Sequence, residues 1–195
     1  MSKIRVYKII FYIIIIAIII ISGLVIAKYY NNLKLDKNNR DITANIENVI
    51  KNNNDSNFEI NEEIKGYKVI GIINIPKINL KYPILETTNA EALNISITKF
   101  WGNKVNEIGN ITLAGHNNLS GIMFGKIKKL KDGDLIELTD KQGVTIKYQV
   151  FKTYVIDPND ISCILPEDEK TREVTLITCT TGGKNRFIVK AREIK

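Results

Sequence analysis

The sequence contains one histidine, two cysteines, one tryptophan and four prolines in 195 residues. So few imidazoles and thiols cannot assemble the His/Cys cluster a zinc site normally uses, and no metal or other cofactor is expected. The same scarcity constrains catalysis: any cysteine–histidine chemistry must use His116. Zinc-finger, RNA-recognition and helix-turn-helix signatures are absent, as is a dense arginine stripe. The net charge of +7 and pI near 9.3 are therefore not read as nucleic-acid binding. The lysines are dispersed singly or in pairs such as Lys128-Lys129, which suits a solvated surface or one facing anionic wall polymer or lipid. No internal repeat is evident. Isoleucine, asparagine and lysine are heavily used, a bias that suits an AT-rich genome.

What the sequence does have is one long apolar run. Residues 9–27 carry no charge, and nineteen residues at helical rise span roughly 28 Å, close to the hydrocarbon thickness of a bilayer. Tyr7 and Tyr12 lie near one end, Tyr29 and Tyr30 near the other, where aromatic rings favour the interface. A cleaved signal peptide is the rival reading. Val25-Ile26-Ala27 matches a small-x-small cleavage site poorly and the run exceeds a usual signal core, so an uncleaved anchor is expected. Lys3, Arg5 and Lys8 precede the run, but Lys28, Lys34, Lys37 and Arg40 follow it, so the positive-inside count does not set the orientation.

Residues 28–66 form a polar, asparagine-rich stalk. Within it Ile42, Ile46, Val49 and Ile50 recur at helical spacing behind Asp41 as N-cap, which predicts a short amphipathic helix. The helix stands in the stalk or packs on the following domain; the spacing fits both. Asn52-Asn53-Asn54-Asp55 reads as a break. From Tyr67 the texture changes to short β-branched runs punctuated by Gly, Pro, Asn and Asp. Strands are predicted at 69–75, 81–85, 110–114, 134–139, 144–156, 174–178 and 186–192, with short helical pieces at 90–97 and 123–130. Many short strands with few helices predict a mainly β fold, a barrel or a sandwich.

His116 ends the apolar run 109–115, and Cys179 ends a second, 173–178. The segment after the cysteine, Thr180-Thr181-Gly182-Gly183-Lys184-Asn185, is polar and glycine-rich, so Cys179 sits where a strand meets a permissive loop. Arg186 opens the next apolar run. If the two strands pair as a hairpin, Arg186 returns opposite Cys179, where a guanidinium could stabilise an oxyanion or hold substrate carbonyls. At this level Cys179 is either a nucleophile or half of a Cys163–Cys179 disulfide, and local pattern favours neither.

Four segments in order carry a resemblance. Thr175-Leu176-Ile177-Thr178-Cys179 resembles the Thr-Leu-x-Thr-Cys signature of sortases, the Gram-positive transpeptidases that attach proteins to the cell wall or to each other. Ala114-Gly115-His116-Asn117 is similar to the histidine motif of that family, and Arg186-Phe187-Ile188-Val189 to its arginine strand. Gly71-Ile72-Ile73-Asn74-Ile75-Pro76-Lys77-Ile78 is similar to its opening strand and Ile-Pro turn. Together these motifs span residues 67–195.

The resemblance implies an eight-stranded sortase β-barrel at 67–195, behind a cytoplasmic tail (1–8), a single transmembrane anchor (9–27) and the stalk (28–66). It implies an extracytoplasmic domain with Cys179 as nucleophile, His116 as acid/base and Arg186 as electrostatic stabiliser. Thr178 and Asn117 are weaker candidates for orienting substrate or imidazole. Cys163 is left a small buried apolar role. The implied partners are surface proteins bearing a C-terminal LPXTG-like sorting signal, an amine acceptor in peptidoglycan or lipid II, and the membrane. The lack of a second hydrophobic span after the barrel speaks against a pilus-polymerising type. The short Cys-to-Arg loop and the compact 166–172 loop suggest a class D-like or class B-like member. No carboxylate cluster corresponds to a calcium site. The rival functions are another cell-wall thiol transpeptidase or peptidase, and a non-catalytic anchored module of sortase fold.

Overall fold

The computed structural model describes residues 3–52 and 58–194. The chain divides into two units, residues 1–35 and 36–195. Helix α1 (Lys3–Asn52) contains all of the described first unit and the start of the second. In the first unit residues 9–27 are exposed throughout, and the helix is long and apolar enough to cross a membrane. Of the break expected at residues 52–55, all but Asn52 lies outside the described residues.

The second unit begins with residues 36–52 of α1. The stripe this helix buries is Asn39, Thr43 and Ile46, with Ile42 and Ile50 half-buried beside it and Val49 exposed. Positions i, i+4 and i+7 share one helical face, so the stripe follows from the 3.6-residue period. It packs on the barrel: Ile46 joins Ile60, Ile64, Val69, Ile72, Leu85 and Ala92 in one cluster. Asn39 Nδ2 donates to the Ile95 carbonyl at 2.9 Å and Lys81 Nζ pairs with Glu47 at 2.6 Å. The Tyr82 hydroxyl donates to Asp36.

Among the described residues nine strands follow: β1 (Glu63–Ile64), β2 (Tyr67–Ile75), β3 (Leu80–Leu85), β4 (Ile97–Gly102), β5 (Gly109–Ala114), β6 (Leu135–Asp140), β7 (Thr145–Ile156), β8 (Arg172–Cys179) and β9 (Arg186–Glu193). Their order is β1-β2-β3-β4-β5-β8-β9-β7-β6, and β6 pairs back onto β2. All strands but β1 thus close into the eight-stranded barrel that was expected, and closure removes the free sheet edges. Gly71 sits on the seam opposite Asp140. A Cβ there would run into the Thr139 carbonyl oxygen, so glycine is what lets β2 and β6 meet.

The barrel interior is filled from alternating positions: Ile73 and Ile75 of β2, Ile111 and Leu113 of β5, Val174 and Leu176 of β8, and Val189 and Ala191 of β9, all 2% exposed or less. Two predicted helical pieces are shorter than expected. Residues 90–97 divide into α2 (Ala90–Leu93) and the start of β4, and 123–130 are a 3₁₀ turn, Phe124–Lys129. Strand β4 was not expected, because a bulge between Lys99 and Trp101 breaks its alternation.

Candidate active site

Register brings the three candidate residues together. Strands β5 and β8 run parallel with Ala114 opposite Ile177, so two further residues on each lead to His116 and Cys179. Strand β9 returns antiparallel with Arg186 directly opposite Cys179, and β7 places Ile156 opposite Arg186. Directly opposed residues of neighbouring strands share a face of the sheet, and strand side chains repeat their face every second residue. His116, Cys179, Arg186, Ala114, Ile177 and Ile156 accordingly line one cavity of about 260 Å³. His116 is exposed, whereas Cys179 and Arg186 are half-buried.

The histidine loop and the cysteine strand are stitched together through main-chain oxygens. The Gly115 amide donates to the Ile177 carbonyl at 3.2 Å, and the Thr178 hydroxyl donates to the Gly115 carbonyl at 2.7 Å. Asn117 Nδ2 donates to the Cys179 carbonyl at 2.8 Å. Both weaker candidates therefore act on backbone: Thr178 is 2% exposed with its hydroxyl bound to Gly115, and the Asn117 amide holds the end of β8. Gly115 lies on the Phe124 ring, where an added Cβ would stand 2.9 Å from Cδ2. The Phe124 amide donates to the His116 carbonyl at 3.1 Å, fixing the far side of the loop. Arg186 Nη1 reaches the Gly183 carbonyl at 3.2 Å, within its own loop.

The connection between β7 and β8, residues 157–171, forms the cavity's second wall, contributing Pro158, Asp160, Ile161, Cys163 and Ile164. Buried polar groups hold it in place. Asn110 Nδ2 donates to the Ile164 carbonyl at 2.8 Å, and Lys190 Nζ donates to the Leu165 carbonyl at 2.8 Å. Glu173, whose side chain is fully buried, accepts from the Glu167 and Asp168 amides at 2.8 and 3.2 Å and from Arg192 at 2.7 Å. Burial lowers the Lys190 ammonium's pKa, against the opposing pull of Glu173 and Glu167. The sequence signal for this anchor was two charges inside otherwise apolar strands. The apolar lining itself, from Leu93, Phe100 and Ile161, comes from separate elements and has no periodic signature.

Both cysteines are free. The Cys163 carbonyl accepts from Thr175 Oγ1 at 3.3 Å, and Thr175 precedes Cys179 by four residues, about 13 Å along a strand. Cys163 is 3% exposed, and burial pushes its thiol pKa up. An apolar cavity ending in a half-exposed thiol, an imidazole and a guanidinium suits acyl transfer from a peptide.

Known proteins resemble this chain over the same region. The Sortase family, described as a Sortase domain, matches residues 73–194. Sortase A of Bacillus anthracis is 33% identical over 132 residues, covering 66% of this chain and 61% of that protein. Sortase A of Listeria monocytogenes is 31% identical over 171 residues, covering 86% of this chain and 76% of that protein. The X-ray structure of Clostridium perfringens sortase C with the C-terminal cell wall sorting motif superposes with a TM-score of 0.59, at 25% identity, over 85% of this chain and 90% of that one. The closed barrel, the order of its strands and these matches together make the chain a member of the sortase family, whose members are cysteine transpeptidases.

Proposed function

We propose that this chain is a membrane-anchored sortase that cleaves an LPXTG-like sorting signal and transfers the protein to an amine of the cell wall. The supporting observation is that His116, Cys179 and Arg186 line one apolar cavity at the shared end of β5, β8 and β9. Cys179 as thiolate attacks the carbonyl carbon of the scissile peptide bond. The carbon–sulfur bond forms, the carbon–nitrogen bond breaks, and His116 as imidazolium protonates the leaving amine. The incoming amine then attacks the thioacyl carbon, His116 takes its proton, and the thiolate is released. Arg186 balances the oxyanion that develops in each half through its fixed positive charge. The apolar lining from Leu93, Phe100, Ile161 and Ile164 suits the leucine and proline of such a signal.

The anchor is residues 9–27, with the barrel extracytoplasmic; protease shaving of intact cells should digest residues beyond 60, and a protected barrel would reverse the orientation. The reaction itself is tested with the full-length chain in neutral detergent and a Leu-Pro-Asn-Thr-Gly peptide. A thioacyl adduct on Cys179 is expected by mass spectrometry. Cys179→Ala should abolish it, and transfer to an amine by Cys179→Ala would overturn the mechanism. An adduct formed instead with a peptidoglycan stem peptide would favour a cell-wall peptidase, and no adduct with either would favour a non-catalytic module.

A further inference from the structure

Asp160 is the one carboxylate among the described residues that line the catalytic cavity. Its place follows from the way the β7–β8 connection leaves the barrel. Strand β7 ends at Ile156, opposite Arg186, which is itself opposite Cys179. The Asp160 amide then donates to the Asp157 carbonyl at 3.1 Å, a turn that keeps Asp160 at the catalytic end of the wall. By Cys163 the connection has reached Thr175, whose Oγ1 donates to the Cys163 carbonyl at 3.3 Å. Thr175 lies about 13 Å from Cys179 along β8. The wall is therefore graded, with a carboxylate at the thiol end and the apolar Ile161 and Ile164 beyond it.

Asp160 stands ready for a cation. The Ser162 amide donates to its Oδ1 at 2.8 Å, and hydrogen bonds from Ser162 hold the carboxyl below its ordinary value, so it is ionised at neutral pH. Among the described residues no lysine or arginine pairs with it, whereas Glu167 of the same connection has Lys152 at 2.8 Å. Arg186 turns Nη1 to the Gly183 carbonyl at 3.2 Å instead. A peptide whose scissile carbonyl lies at Cys179 runs along this wall in a fixed order. In a Leu-Pro-x-Thr segment the threonine carries that carbonyl, x stands one residue back and leucine three. At roughly 3.3 Å per extended residue, x lies about 3 Å and leucine about 10 Å from the threonine. Proline holds the leucine before it extended. Side chains of an extended chain alternate, so x and leucine, two residues apart, point the same way. With leucine against Ile161 and Ile164, x points at the thiol end of the same wall, where Asp160 stands. We propose that Asp160 is a specificity residue for the variable position of the sorting signal, selecting lysine or arginine there and disfavouring aspartate or glutamate. The assignment rests on the transpeptidase reading above. Asp160 is exposed, so its effect is modest and sensitive to salt.

The test is competition between peptides for one sample of the full-length chain in neutral detergent. Competition gives the ratio of kcat/KM values directly and cancels differences in folded fraction. Leu-Pro-Lys-Thr-Gly should be cleaved about fivefold faster than Leu-Pro-Glu-Thr-Gly at low salt, with Leu-Pro-Gln-Thr-Gly between them. About 0.5 M NaCl should remove most of the difference. Asp160→Asn keeps an acceptor for the Ser162 amide but loses the charge, and should bring the two peptides close to equality; Asp160→Glu should retain the preference. A lysine displaced to precede the leucine, in Lys-Leu-Pro-Gln-Thr-Gly, should gain nothing that depends on Asp160. Equal use of the lysine and glutamate peptides, a preference that survives Asp160→Asn, or the same Asp160-dependent gain for the displaced lysine would overturn the assignment alone. Cleavage of none of the peptides would overturn the transpeptidase reading, and the assignment with it.

Discussion

At the scale of the residue, Cys163 and Cys179 line the same cavity but differ in exposure. Cys163 is 3% exposed with its pKa raised by burial, whereas Cys179 is half-buried at the end of β8. Since the thiolate is the reactive form, iodoacetamide should modify Cys179 at least about tenfold faster than Cys163 in the native chain, and both at similar rates in urea. Peptide mapping by mass spectrometry reads this, and faster labelling of Cys163 would contradict it. Gly115 offers a second test, because it precedes His116 and lies against the fully buried Phe124 ring. Gly115→Ala should cost about 1–3 kcal/mol in chemical denaturation. Phe124→Leu in the same chain should recover part of that loss, giving a non-additive double-mutant cycle.

At the scale of the element, the start of the second unit is a helix whose buried stripe covers β2, β3 and α2. The sequence left open whether the predicted amphipathic helix stood free or packed on the domain. Packing is what the structure has, with Ile46 2% exposed inside an apolar cluster. Ile46→Ala should therefore cost about 3 kcal/mol, where a helix free in solvent would lose a few tenths. Urea denaturation of the full-length chain in detergent separates the two outcomes. The β7–β8 connection shows a different kind of element, one whose regular structure is a single 3₁₀ turn at Ser162–Ile164 and whose position is set by Glu173, Lys190 and Asn110 beneath it. Of it, the sequence marked only the compact loop at 166–172. The buried partners that fix it come from three strands, and no local pattern marks such an arrangement.

At the scale of the whole molecule, charge pairing gives stability a pH dependence. A hydrogen bond from Lys152 holds the Glu167 carboxyl below its ordinary value of 4.5, with burial opposing it. A depressed folded-state value means that the unfolded chain binds the proton first as pH falls. Glu167's contribution is thus complete above the unfolded value and is lost as pH drops through the folded one. Melting temperature should fall between pH about 5 and 3, and Lys152→Met should flatten part of that decline. Because the Lys152–Glu167 pair is half-exposed, high salt should reduce the effect. A decline that Lys152→Met left unchanged would assign it to other carboxylates.

Much of the barrel was determined by sequence alone, because period-two burial and turn residues act over a few neighbours. Seven of its eight strands were legible from that signal, and β4 was lost where its bulge broke the alternation. His116 and Cys179 were candidates for a similar local reason, since each ends an apolar strand. Their shared cavity was not local. It depends on the parallel register of β5 with β8 and on the antiparallel return of β9, pairings between residues more than sixty positions apart in the first case. Where the Thr178 and Asn117 side chains bond was likewise decided only by the tertiary structure. Each of these depends on segments that meet through barrel closure, and a linear pattern holds no record of that meeting.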